Sequence, residues 1–246
     1  MGQQAVAASR ELAIMNSRKK NTILQAMADA IEQGVAAIRK ANAMDLEEGR
    51  KAGLSPALLD RLLLTDGRLS GMVKGIRAVA GLKDPIGARI SRWIRPNGLE
   101  IVKRRVPIGV IAIIYESRPN VTADTAALCF KTANAVILRG GREALHSNRA
   151  IAEAMIRGGR EKGLPEFAIQ LVQTTAHEAV TELVQLEGLV DLVIPRGGEA
   201  LIRTVVEHAR VPVIKHSKGV CHVYVDESAD LDKALRIAEN AKCQRP

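Results

Sequence analysis

The 246-residue chain is poor in aromatic residues: Trp93, Tyr115, Phe130, Phe167 and Tyr224 are all it has. Modules that bind single-stranded nucleic acid interleave stacking rings with basic groups. Five scattered rings give no such platform, so nucleic acid is not expected as a partner. Cysteine is also scarce. Cys129, Cys221 and Cys243 are odd in number and lack CxxC spacing, which argues against a disulfide framework and against a cysteine zinc site. No apolar run nears the roughly 20 residues that span a bilayer. The opening MGQQAVAASRELAIMNSRKK carries no apolar core of the signal-peptide kind. A cytoplasmic protein with no membrane partner is expected. GxGxxG, Walker A, GxSxG and HExxH patterns are missing as well, so a standard dinucleotide fingerprint, a P-loop NTPase, a serine hydrolase and a zinc protease find no support.

Apolar residues make up 47 % and charged residues 26 %, the mixture of an ordinary globular chain. The net charge is +9, and it is not spread evenly. Residues 61–120 hold 12 basic and 4 acidic groups, whereas the segment before them and the segment after are nearly balanced. A localised basic surface of this kind suits an anion. Without aromatic interleaving, a small anionic ligand is the better expectation.

The first 80 residues read as helices. Ile23, Leu24, Met27, Ile31, Val35 and Ile38 recur at three- to four-residue spacing, the stripe of an amphipathic helix. Asn16 or Ser17 is placed to cap its start, and Gly34 to bend or break it. From Asp84 to Arg105 the pattern changes to alternation around Pro96-Asn97-Gly98, which predicts a β-hairpin or two extended arms with one solvated face. After Pro107, short β-branched runs occur at Val110–Ile114, Ala135–Leu138, Ile169–Val172, Leu189–Ile194, Val211–Ile214 and Val220–Val225. Helical segments follow them at about 119–132, 143–162, 175–187, 198–210 and 229–241. This predicts an α/β fold, with a helical layer followed by a doubly wound, mostly parallel sheet.

In such sheets ligands bind beyond the carboxyl ends of the strands. Three strand ends there carry arginine, glycine or both: Tyr115-Glu-Ser-Arg-Pro-Asn120, Arg139-Gly-Gly-Arg-Glu143 and Pro195-Arg-Gly-Gly-Glu199. Glycine lets backbone approach a phosphate, a helix start offers N–H groups, and arginine adds a forked donor. Each loop could equally be a tight turn with a solvated arginine. Two Arg-Gly-Gly loops on one sheet edge favour a nucleotide. Strand alternation sends Cys221 and His222 to opposite faces, so no metal site is expected with His216. Cys129, among apolar neighbours, reads as a structural thiol. The residues alone stop at a nucleotide-binding domain and do not reach a reaction.

Taken together, Arg104–Val110, Tyr115–Val121, Lys131–Glu143, Asp191–Gly198, Gly219–Asp226 and Asn240–Pro246 resemble the gamma-glutamyl phosphate reductases of the aldehyde dehydrogenase superfamily. The resemblance runs over essentially the whole chain and implies a Rossmann-like sheet of the aldehyde dehydrogenase type. It also implies NADPH-dependent reduction of L-glutamate 5-phosphate to L-glutamate 5-semialdehyde and phosphate, a step of proline synthesis. In such enzymes a cysteine thiolate displaces phosphate and the thioester takes a hydride, in keeping with the nucleophilicity of thiolates. Asn120 matches an asparagine that helps hold the oxyanion, though it could also cap the helix beside it. Glu116, Arg139, Gly140, Gly141, Pro195, Arg196, Gly197 and Gly198 would lie at the NADPH/NADP+ site, with Arg139 toward the ribose and 2′-phosphate. Glu199 matches a helix-start acid. Arg118 is a candidate for the acyl phosphate on charge and position. The resemblance divides the chain into a helical segment at 1–83, an arm at 84–106 that would form a homodimer contact, and an NADP-binding α/β domain at 107–246. It places the nucleophilic cysteine just beyond Gln-Arg-Pro, so neither that cysteine nor a catalytic domain is expected within these residues. The alternative is a non-catalytic NADP-binding or assembly module.

Overall fold

The structure, a computed structural model, describes residues 1–216 and 219–243. Its contacts form two compact units, Met1–Lys215 and His216–Pro246.

The first unit starts with five helices: α1 (Gly2–Ala13), α2 (Ser17–Gln33), α3 (Val35–Lys51), α4 (Pro56–Leu62) and α5 (Asp66–Gly81). Local chemistry sets their ends. Asn16 accepts the Lys19 N–H at 2.9 Å and caps α2, Ser55 caps α4 ahead of Pro56, and Thr65 caps α5. Gly34 marks the α2–α3 junction with an ordinary φ of −86°. The stripe Ile23, Leu24, Met27 and Ile31 is fully buried where α2 packs on α5 and on α7 (Leu145–Glu161). A Cβ on Gly158 of α7 would collide with the Ala26 carbonyl and Ala30, so glycine there permits close approach of the two helices.

Two strands, β1 (Arg89–Ile94) and β2 (Glu100–Arg104), pair antiparallel as a separate hairpin. The expected single solvated face is corrected: β1 is exposed at every residue, and only Ile101 and Val102 of β2 are half-buried.

The main sheet contains β3 (Val110–Tyr115), β4 (Ala135–Arg139), β5 (Ile169–Leu171) and β6 (Leu192–Arg196), all parallel, in the order β5-β4-β3-β6. Every residue of β3, β4 and β5 is buried, as expected when helices cover both faces. Between the strands run α6 (Asn120–Lys131), α7 and α8 (Glu178–Val184), and α9 (Glu199–His208) follows β6. α6 packs on α7 and α8 on α9. Right-handed crossovers put these pairs on opposite faces, because the order reverses between β5 and β6.

Two of the six expected strands are not formed. Residues 212–214 run beside β6, yet make only the isolated bridge Val193↔Val213. In the second unit Val220–Val225 is irregular, with Tyr224 84 % exposed. β-Branched composition favours a strand only where a pairing edge exists, and the second unit contains no other strand among its described residues. The argument that strand alternation separates Cys221 from His222 therefore falls. α10 (Leu231–Cys243) completes the described chain, and Gln244–Pro246 of the last matched motif lie outside the described residues.

Candidate functional site

The strand order turns back between β3 and β6, and the crevice at their carboxyl ends is where open parallel sheets take ligands. Register brings the predicted residues level. Ile114 lies between Arg139 on β4 and Pro195 on β6, and Tyr115 lies beside Arg196. The three loops that leave these strands, 116–120, 140–143 and 197–199, are thus neighbours on one edge.

Two carboxylates tie these loops together. Glu116 Oε2 accepts the Gly198 N–H at 2.7 Å, at the N-cap of α9, while the Glu116 N–H donates to the Arg196 carbonyl at 3.3 Å. Glu143 Oε1 accepts the Ser117 N–H and the Ser117 hydroxyl, the latter at 3.0 Å. Ser117 is held at φ +52°, a left-handed conformation that is uncommon for a residue with a side chain and concentrates at functional loops.

The glycines fit this arrangement. A Cβ on Gly197 would strike the Glu116 carboxylate, one on Gly141 the Glu143 carboxylate, and one on Gly140 the Asn148 amide. They give room to the protein's own polar groups.

Arg139, matched above to a ribose and 2′-phosphate position, ends β4. It is 6 % exposed and donates to the carbonyls of Gly140 at 3.2 Å, Thr175 at 3.1 Å and Ala176 at 3.3 Å. Its Nε is buried without an acceptor. Burial pulls the guanidinium below its usual basicity, while Glu143 and Glu116 oppose that shift. Arg118 and Arg196 are exposed, and Pro195 is buried in β6.

Asn120 opens α6, but the N-cap is Pro119 and no side chain caps the helix. Its amide donates to Asp124 Oδ2 at 2.9 Å, so the capping role is corrected. Burial raises Asp124, and the Asn120 bond lowers it in part.

Sequence reasoning missed a buried network beneath the loops. The Tyr115 and Thr122 hydroxyls lie 2.6 Å apart, and Thr122 Oγ1 donates to Asn148 Oδ1 at 3.0 Å. Burial pushes the Tyr115 phenol well up. Nothing in the spacing of Tyr115, Thr122 and Asn148 signals that they meet. Among the described residues no group of three or more histidine, cysteine, aspartate or glutamate residues could hold a metal ion, and no helix is long and apolar enough to cross a membrane.

A donor set of this kind suits an anionic cofactor. A helix start, a buried arginine with a spare N–H and glycine-containing loops share one edge. Comparison with known proteins bears on its identity. The aldehyde dehydrogenase family profile matches residues 1–245. A gamma-glutamyl phosphate reductase from Moorella thermoacetica is 56 % identical over 245 residues, covering 100 % of this chain and 59 % of the relative. The crystal structure of gamma-glutamyl phosphate reductase from Thermotoga maritima superposes with a TM-score of 0.92 at 43 % identity, over 100 % of this chain and 59 % of that one. The corresponding structure from Saccharomyces cerevisiae gives 0.81 at 35 % identity, over 99 % and 62 %. The chain thus spans about three fifths of the length of these relatives.

Proposed function

Because the chain belongs to the aldehyde dehydrogenase family, we propose that it forms the cofactor-binding part of an oxidoreductase. The proposed reaction is NADPH-dependent reduction of L-glutamate 5-phosphate to L-glutamate 5-semialdehyde and phosphate, in proline biosynthesis. The observation that carries this reading is the β3–β6 edge, where the Glu116–Gly198 bond stands at the strand-order reversal. The likeness to reductases over the whole of this chain supports the substrate.

Within this reading, residues 107–246 are the NADP-binding α/β domain, 1–83 the helical segment packed on it, and 84–106 an arm that pairs with a second copy. A two-stranded hairpin is marginal alone in water, and Trp93 and Ile94 are 44 % and 63 % exposed on it, which supports a role in association. The compartment proposed is the cytoplasm.

A bound nicotinamide dinucleotide supplies the hydride. The α9 start and the Gly197-Gly198 backbone receive its phosphates. Arg139 holds the β4 loop and the 175–176 carbonyls in place beneath it. Arg118, exposed on the β3–α6 loop, meets the substrate phosphate, and the Asn120 amide turns from Asp124 to the developing oxyanion. An oxyanion donor is typically worth about 2.7–4 kcal/mol. The nucleophilic cysteine is proposed to lie beyond the Gln-Arg-Pro sequence, so these 246 residues alone turn over no substrate.

Fluorescence titration of the purified chain with NADPH tests the reading. Saturable binding, tighter for NADPH than for NADH, is the expected result. A folded chain with no affinity for either dinucleotide would overturn it.

A further inference from the structure

We propose that Glu143 is a positioning residue for the cofactor edge: its carboxylate holds Ser117 in a left-handed turn and so sets the course of residues 116–120. The inference rests on the cofactor reading above and deepens it, because it concerns how that edge is kept ready for a dinucleotide.

One residue carries the change of direction from β3 to α6. The Glu116 N–H still donates to the Arg196 carbonyl at 3.3 Å, in continuation of the β3–β6 pairing. The Arg118 carbonyl already accepts the Val121 N–H at 3.1 Å, at the start of the helical pattern. Only Ser117 lies between the two, and its φ is +52°. A residue with a side chain enters that region against its steric preference and persists there only where its surroundings hold it. Here both of its donors go to one atom. The Ser117 N–H and the Ser117 hydroxyl donate to Glu143 Oε1, the hydroxyl at 3.0 Å.

Glu143 itself stands on a rigid base. Just after it, the His146 and Ser147 N–H groups donate to the buried Asp45 carboxylate at 3.0 and 2.7 Å. The Asn42 amide donates to Ser147 Oγ at 3.0 Å and to the Leu62 carbonyl at 2.9 Å, which ties the start of α7 to α3 and α4. Just before it, Arg139 fixes the end of β4 through its bonds to carbonyls. The β3–α6 loop is therefore the side of the clasp that yields. Gly141 is an independent sign of the same arrangement. A Cβ there would strike both Glu143 carboxylate oxygens, so the carboxylate has its place only because residue 141 lacks a side chain. The loop held in this way carries Glu116, which accepts the Gly198 N–H at 2.7 Å, and the exposed Arg118. A shift of Ser117 moves both.

Wild type, E143Q, E143A, S117G and the double variant E143A/S117G are titrated with NADPH, after circular dichroism shows each one folded. Glu143→Ala should weaken binding about 10-fold, the fold-change that one lost charge-assisted hydrogen bond implies. Glu143→Gln keeps an acceptor for Ser117 and should stay closer to wild type. Glycine enters the left-handed region without steric cost, so in the S117G background the loss of Glu143 should matter little. A glutamate that only supported packing, or acted through its charge on Arg139, would be missed equally in both backgrounds. Wild-type affinity in E143A, or a loss as large with Gly as with Ser at position 117, overturns the proposal. If the folded wild type binds no NADPH, the cofactor reading falls, and amide exchange at Ser117 decides the clasp. Slow exchange in wild type that quickens in E143A upholds it, and equal exchange in both overturns it.

Discussion

The Arg139 guanidinium donates to the Thr175 carbonyl at 3.1 Å, joining the end of β4 to the loop that leaves β5. The residue matched to a ribose and 2′-phosphate contact is thus turned inward, and its two terminal nitrogens serve carbonyls of residues 140, 175 and 176. We propose that its influence on a dinucleotide passes through the loops it fixes, while its Nε is buried without an acceptor.

Arg139→Ala should therefore act first on structure. Hydrogen bonds from a charged donor are worth about 1.5–3 kcal/mol net, and a loss of that size is expected in urea unfolding. Amide exchange at residues 173–177 should quicken. Arg139→Lys should recover little, since an ammonium lacks the planar fork that spans several carbonyls. Unchanged exchange in that loop would refute the assignment.

A second buried charge cluster governs the helical layer. Lys20 Nζ lies 2.5 Å from Asp84 Oδ2, with the side chains 1 % and 9 % exposed, and the Ser17 hydroxyl donates to the same oxygen at 2.7 Å. Burial alone would raise Asp84, but Lys20, Ser17 and the Ile86 N–H together hold it below the usual carboxylate range. Burial lowers Lys131 nearby, and Asp84 offsets part of that effect. Asp84→Asn would leave Lys20 buried without a counter-charge, a change that costs about 3–5 kcal/mol in comparable pairs. Because the folded value is depressed, the stabilisation is present above the unfolded aspartate value and lost as pH falls through the folded one. The stability gap between wild type and D84N, measured in urea, should be full near neutral pH and should close in acid. A gap that does not change with pH would remove the ion pair from the account.

The helical layer was legible because its signals are local. The Ile23–Ile31 stripe and the Asn16 cap each determine structure within a few residues. The β3, β4 and β6 loops were legible as a set because strand ends in a parallel sheet share an edge. Inward and outward orientation was not legible. Arg139 and Arg142 flank the same glycines, yet the first is buried and the second exposed, a difference set by carbonyls 36 residues away. Val220–Val225 reads as a strand from composition, but pairing depends on a partner that composition does not reveal. Glu116 and Glu143 look alike in sequence; their different anchorage emerges only when Gly198 and Ser117 are brought beside them.

The cysteines give a last prediction, because the proposed nucleophile must not be among those described. Only the thiolate attacks. Cys129 lies on α6 about two and a half turns beyond Asn120, and burial pushes its thiol up to about 12. At pH 8 its thiolate fraction would be on the order of one in ten thousand. Cys221 and Cys243 are exposed. Titration of the native chain with a chromogenic disulfide should therefore show two fast thiols, and a third only after denaturant is added. Cys129→Ala should abolish the slow phase alone and leave NADPH binding intact. Three thiols reacting together in native buffer would mean that α6 does not pack on the sheet as described, and that Cys129 can no longer be dismissed as a nucleophile.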